Sequence, residues 1–244
     1  MKNGYALFDL DHTLLPFDTQ VLFCNYVLQR EGWRRIYLVW FLPCLPFLVL
    51  RILSLRTMKR VFSSYLWGMK RERLETYVAA FLESDFDRAL YPAVVAEVER
   101  NREEGRLLIL NSASPEFYLK GISAKLGFDH FVGTNMAISE KMPFLPAISG
   151  PNNKHGAKIT AMVTRGLIPD DVLVLGNSWA YSDSPADIPL LEVAENGVMI
   201  HPGAKLAAVG ADQGWRTMTP VRPYEGAWGG RFASVLQAFG CYRF

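Results

Sequence analysis

Short apolar runs alternate with stretches of helical period along most of this chain. The runs fall at residues 5–9 (YALFD), 106–110 (RLLIL), between 172 and 181, and at 197–200 (GVMI). Helical patterning occupies 92–103, 114–127, 157–165 and 187–194, and short strand-like pieces fall at 131–132 and 136–138. Apolar strands separated by amphipathic helices bury both faces only in a parallel sheet covered by helices on each side, so the fold class is α/β, a Rossmann-like doubly wound sheet. Pro92 at a helix start and Gly105 past its end mark boundaries that agree with this division. Ligands in such sheets bind beyond the carboxyl ends of the strands, which directs attention to Asp9, residues 111–114 and residues 182–184.

Of the 244 residues, half are apolar and a fifth are charged, a globular composition with room for one domain plus an insert. The net charge of +2 speaks against nucleic acid as the main partner. It is unevenly spread: residues 19–71 hold nine cations against Glu31 alone, a local +8 that leaves −6 for the rest. Cys24, Cys44 and Cys241 are odd in number and follow no CxxC spacing, which suggests neither a disulfide framework nor a zinc site. The opening MKNGYALFDLDHT is not a cleavable signal peptide, and the expected location is cytoplasmic.

Asp9 and Asp11 stand two residues apart at the end of the first strand, and Asp183 and Asp187 form a second acidic pair after a later one. Carboxylates gathered at converging strand ends repel one another and call for a cation. A few hard oxygen ligands with room for water and phosphate favour Mg²⁺ over zinc. Ser112 follows the 106–110 strand, where its hydroxyl and the next backbone amides can hold an anionic oxygen. Lys158 opens a helix and adds a cation to a helix N-terminus; Lys154 competes for this place, and the GxK spacing before an apolar-patterned helix favours Lys158.

The segments FDLDHTL, NSASPEFYL, the lysine and YSDSPADIPLL, in this order, resemble the haloacid dehalogenase (HAD) superfamily, and within it the phosphoserine-phosphatase-like subfamily IB. The resemblance runs from residue 5 to about residue 218. It implies a HAD core over residues 1–16 and 86–244, a helical cap inserted at 17–85, and a Mg²⁺-dependent phosphoric monoester hydrolase. By the same resemblance Asp9 is the nucleophile that becomes an aspartyl-phosphate. Asp11 protonates the leaving oxygen and then activates water, while its backbone carbonyl reaches the metal. Asp183 completes a metal site made with Asp9 and Asp11, and Asp187 orients metal-bound water or Lys158. Thr13 supports the loop, and Ser112 and Lys158 hold the phosphate. His12 stands where the family often has glycine and reads as a loop residue. SASP in place of SGGF lowers the case for phosphoserine as substrate. Phe117 and Tyr118 read as core, and His155 and His201 as structural or solvent-facing.

Residues 36–50 (IYLVWFLPCLPFLVL) carry no charge and are flanked by Arg34, Arg35 and Arg51. A bilayer span needs ~20 apolar residues, and Pro43 and Pro46 interrupt this run, which predicts a helix, a bend and a second short helix. Two readings stand side by side. One is a hairpin dipping into an anionic membrane surface, with Trp33, Trp40, Trp67 and the arginines at headgroup level. The other is a pair of helices buried in the cap. The stretches WFLPCLPFLVLR, YLWG and YSDS are similar to the bacterial phosphatidylglycerophosphatase C group, which implies a lipid phosphate headgroup as substrate at the inner face of the membrane. The alternatives are a soluble phosphatase of a phosphorylated small molecule and, from another class, a non-catalytic membrane-associated scaffold. Residues 221–244 match no motif, and the oligomeric state is not legible.

Overall fold

A computed structural model of the protein describes residues 2–149, 153, 156–171 and 173–244; Lys154 and His155 lie outside these. Among the described residues seven strands form one sheet in the order β4-β3-β2-β1-β5-β6-β7. They are β1 (Tyr5–Phe8), β2 (Leu107–Pro115), β3 (His130–Met136), β4 (Ile148–Ser149), β5 (Leu175–Ser182), β6 (Ala194–Ile200) and β7 (Arg216–Met218). All neighbouring pairs are parallel except β3 with β4.

Alternation along β1 decides which helices cover which face. Ala6 and Phe8, with Leu108 and Leu110 of β2, join a cluster that runs into the helices between β1 and β2. Leu7 and Ile109 face the opposite cluster of Met162, Leu190, Leu191 and Leu206. That second face is covered by α8 (Gly156–Thr164), α9 (Ile188–Glu192) and α10 (Ala204–Gln213). The first face is covered by α1 (Thr19–Arg30), α4 (Arg71–Phe81), α6 (Pro92–Glu103) and α7 (Glu116–Leu126). Tyr118 is fully buried and Phe117 packs beside it, the core role expected of them. Between α1 and α4 lie a three-ten turn (Gly32–Tyr37), α2 (Leu38–Val49) and α3 (Leu55–Phe62), and a π turn (Leu82–Phe86) leads to the short α5 (Asp87–Ala89).

Several expected boundaries move. The pieces at 131–132 and 136–138 give a single strand, β3, and β2 continues through the serine motif with a register shift between Asn111 and Pro115. The 187–194 helix is shorter, because a three-ten turn at Pro185–Asp187 precedes α9 and Ala194 already pairs with Leu175. The prolines of α2 do not bend the chain as expected. Leu38–Val49 is one helix with both inside it, and the reversal comes after it, where Leu50 NH donates to Pro46 O and Arg51 takes φ 60°. Each proline removes one amide donor, and the flanking helical bonds carry the helix across those two gaps. No residue of α2 is buried, which corrects the reading of a buried cap helix here. Among the described residues no helix is long and apolar enough to cross a membrane.

The uninterpreted tail forms α11 (Gly226–Ala238), which packs on α1. Tyr224 Oη donates to Pro16 O at 2.6 Å, and Asn25 Nδ2 donates to Tyr242 O at 3.1 Å.

Candidate active site

The register brings the expected strand ends together, since Phe8 pairs with both Leu110 and Tyr181. Asp9, Asn111 and Ser182 therefore emerge along one edge. Asp9 is buried, and its NH donates to Tyr181 O at 3.0 Å. Lys158, also buried, donates to Asp9 Oδ1 at 2.6 Å and to Asp187 Oδ2 at 2.7 Å. Ser182 Oγ donates to the same Asp187 oxygen at 2.8 Å. Thr13 Oγ1 lies 3.2 Å from Asp9 Oδ2 and 3.3 Å from Asp183 Oδ1, so its one proton serves one carboxylate at a time, and it accepts the Asp183 NH at 3.1 Å.

Asp11 is turned differently. Its Oδ1 accepts the Thr19 NH at 2.7 Å, at the start of α1, and its Oδ2 accepts Ser114 Oγ–H at 2.7 Å. The carboxylate thus ties the first helix of the insert to the end of β2. Asp18 caps the same helix through the Gln20 and Val21 amides. His12 takes φ 61°, the left-handed conformation that glycine adopts without cost, and its Nδ1 sits 3.1 Å from Pro16 O. It is a loop residue, as expected, and His201 is held structurally with its Nε2 2.7 Å from Pro220 O.

The serine motif is built otherwise than the sequence suggests. Ser112 is fully buried and its hydroxyl accepts the Ser114 NH at 3.0 Å, while Ala113 and Ser114 form the wall of the cleft. Asn153, which the sequence reading passes over, donates through Nδ2 to Asn111 Oδ1 at 2.7 Å and Ser112 O at 2.8 Å. Lys59, also passed over, reaches from α3 to Ala113 O at 2.5 Å and lines the cleft. Ser114 could have been found by its place in the SAS run; nothing in the local sequence marks Asn153 or Lys59, whose partners lie 41 and 54 residues away.

Burial pushes the Asp9 carboxyl up to about 8, and Asp187, Asp183 and Asp11 push it further against the pull of Lys158. Asp183 is raised to about 6, first by burial and then by Asp187, with His12 and Lys158 opposing. Burial pulls the Lys158 ammonium down, but Asp9 and Asp187 outweigh it and hold the proton. Among the described residues Lys158 is the buried cation of this cluster, set among Asp9, Asp183 and Asp187. The hard oxygen donors of the cluster fit Mg²⁺. Among the described residues no three Asp, Glu, His or Cys side chains converge as a ready metal cage. The expected metal set, the Asp9 and Asp183 carboxylates with the Asp11 backbone carbonyl, does not call on the Asp11 carboxylate, which is engaged with Thr19 and Ser114.

Above these groups lies a cleft of about 630 Å³. Its floor carries Asp9, Asp11, Lys158, Asp183 and Asp187, and its walls are mainly apolar, from Phe41, Leu45 and Leu48 of α2, Leu55, Met58 and Phe62 of α3, and Val235 and Ala238 of α11, with Gln20, Lys59 and Ser114 among them.

A family model described as haloacid dehalogenase-like hydrolase matches residues 6–192. The histidinol-phosphatase of Neisseria meningitidis serogroup C (strain 8013) is 25% identical over 231 residues, 88% of this chain and 97% of that protein. An inhibition of morphological differentiation protein of Streptomyces azureus is 24% identical over 174 residues, 70% of this chain, and the match spans only 60% of that protein's length. Among solved structures, a protein of unknown function from Bordetella pertussis Tohama I superposes with a TM-score of 0.73 at 23% identity, covering 90% of this chain and 99% of its own. An apo phosphoserine phosphatase superposes with a TM-score of 0.56 at 16% identity, covering 85% and 90%. The match spans the strand-end carboxylates and the lysine that meets them, and the chain belongs to the haloacid dehalogenase-like hydrolase family.

Proposed function

We propose that this hydrolase is a Mg²⁺-dependent phosphomonoesterase that works through an aspartyl-phosphate on Asp9, with residues 17–85 as its cap and a lipid phosphate as its substrate class. The observation that carries the reading is the placement of Asp9, held on Lys158 and beside Asp183, at the floor of a cleft whose walls are mainly apolar. A phosphate needs the charged floor, and an acyl or alkyl body would fill the walls; the likeness to the phosphatidylglycerophosphatase C group and to subfamily IB belongs to the same proposal.

Asp9 attacks phosphorus in line, the ester P–O bond breaks, and Asp11 gives its proton to the departing oxygen. Water then attacks the acyl phosphate, Asp11 takes its proton, and phosphate leaves with Asp9 restored. Lys158 neutralises the approach of one anion to another, and Asp187 with Ser182 fixes the ammonium in place. Thr13 holds Asp9 and Asp183 together, and Asn153 steadies the loop that carries Ser112. Mg²⁺, held by Asp9, Asp183 and the Asp11 carbonyl, would offset the remaining negative charge of carboxylate and phosphate.

A second reading, a phosphatase of a small metabolite, draws on the histidinol-phosphatase relative, which aligns along nearly its whole length. A substrate screen separates the two: p-nitrophenyl phosphate, phosphoserine, histidinol phosphate, lysophosphatidic acid and phosphatidylglycerol phosphate, each with Mg²⁺ and with EDTA. The proposal expects Mg²⁺-dependent turnover with kcat/KM highest on the lipid esters. Preference for a small ester would overturn the lipid assignment, and no phosphate release from any of them would overturn the phosphatase.

A further inference from the structure

The C-terminal helix presents two opposed faces. Ala233 and Gln237 are buried toward the body of the protein. Trp228, Phe232, Val235 and Phe239 recur every three or four residues on the other side, with Trp228 79% and Phe232 65% exposed. An outward stripe of large apolar side chains on a 13-residue helix is unlike the scattered apolar residues normal on a surface. Its neighbour has the same character: in α2 and just beyond it Val39, Phe47, Val49, Leu50 and Ile52 are all exposed.

The two helices are neighbours at one opening. Tyr37 Oη donates to Ala238 O at 2.6 Å and Arg35 Nε donates to Phe239 O at 2.8 Å, which joins the start of α2 to the end of α11. Both line the cleft that leads to Asp9, α2 through Leu45 and Leu48 and α11 through Val235 and Ala238. Charge follows the same geography. Residues 19–71 carry +8, residues 219–244 carry +2 through Arg222, Arg231 and Arg243 against Glu225, and the rest of the chain carries −8. Arg231 lies with its guanidinium 5.0 Å from the Trp228 ring centre, an aromatic and a cation side by side as the headgroup region of a bilayer accommodates them.

We infer that α11 is the second half of a lipid-docking face, and that the ester reaches Asp9 from the surface of an anionic bilayer through the mouth between α2 and α11. The inference rests on the lipid-phosphate reading above and extends it to a segment which no motif assigns. The occupant is a lipid surface because the exposed stripe is bordered by cations and opens into an apolar channel that ends on phosphate-binding chemistry.

The test uses the full chain, the double variant Trp228→Ser/Phe232→Ser, and vesicles of phosphatidylcholine alone or with phosphatidylglycerol. Neither substituted residue lines the cleft. The wild type is expected to float with the phosphatidylglycerol vesicles. The variant is expected to bind them at least tenfold more weakly, with unchanged melting temperature and unchanged hydrolysis of p-nitrophenyl phosphate. Equal flotation of variant and wild type overturns the role of α11 and leaves the α2 contact and the phosphatase standing. A wild type that ignores vesicles but sediments as a dimer, with a monomeric variant, shows that a second copy covers the face and overturns the lipid assignment. Flotation without any phosphate release from p-nitrophenyl phosphate would instead strike the proposed activity while sparing the docking face.

Discussion

Lys158 serves two carboxylates at once from a fully enclosed position, so it counters the charge of both. Replacing it with Met leaves Asp9 and Asp187 buried without a counter-charge. Removal of one partner from a buried ion pair costs roughly 3–5 kcal/mol, so a loss of about 3 kcal/mol is expected in chemical denaturation above pH 8, where Asp9 has released its proton, together with loss of hydrolysis. The raised carboxyl groups set a pH dependence. Asp9, pushed to about 8, and Asp183, pushed to about 6, hold protons in the folded state that the unfolded chain releases near 4. Stability from these groups is therefore complete below about pH 4 and is lost as pH rises through 6 and 8. The melting temperature of EDTA-treated protein is expected to fall across that window, and Asp9→Asn to flatten the upper part of the fall. Asp9, Lys158 and Asp187 were legible because each closes a strand or opens a helix within a recognisable run. Asn153 and Lys59 were not, since their importance lies in tertiary hydrogen bonds that no local pattern encodes.

Among the elements, α2 separates apolar composition from burial. It is one of the most apolar stretches of the chain, yet none of its residues is enclosed, whereas α1 and α4 bury Leu22, Phe23, Val78 and Phe81 in the core cluster. Val39→Asp and Val49→Asp are expected to shift folding stability by no more than about 0.5 kcal/mol, as at other exposed positions, while weakening binding to anionic vesicles in flotation. Phe81→Ala, at a fully enclosed ring, is expected to cost about 3–5 kcal/mol in denaturant melts. The cation count of residues 19–71 looks different in three dimensions. Arg34 is buried on Glu31, and Arg35, Arg56, Lys59, Arg60 and Arg71 donate to backbone carbonyls, so these residues brace the insert as well as charging it. β1, β2, β3, β5 and β6 were legible from apolar runs, and α6 from Pro92 at its start, whereas the short edge strands β4 and β7 were not. The path of α2 was not, because proline rules describe the cost of a lost hydrogen bond and not whether the helix continues. Nor was α11, whose apolar stripe faces outward.

Across the whole molecule, one sheet edge gathers chemistry from segments nearly 180 residues apart, and helices from the insert and the tail wall the space above it. A parallel sheet achieves this because its strand ends lie side by side whatever their order in the chain. The charged floor comes from the strand ends and the start of α8, and the mainly apolar walls from the insert and the tail. In the proposed mechanism Asp9 carries the phosphoryl group, and acid quenching during turnover of a ³²P-labelled ester, followed by peptide mapping, addresses this directly. The expected result is label on the peptide containing Asp9, chased away by unlabelled substrate and absent in Asp9→Asn, whose turnover falls by at least about 10³-fold. Steady hydrolysis by Asp9→Asn, or label confined to another peptide, would contradict it.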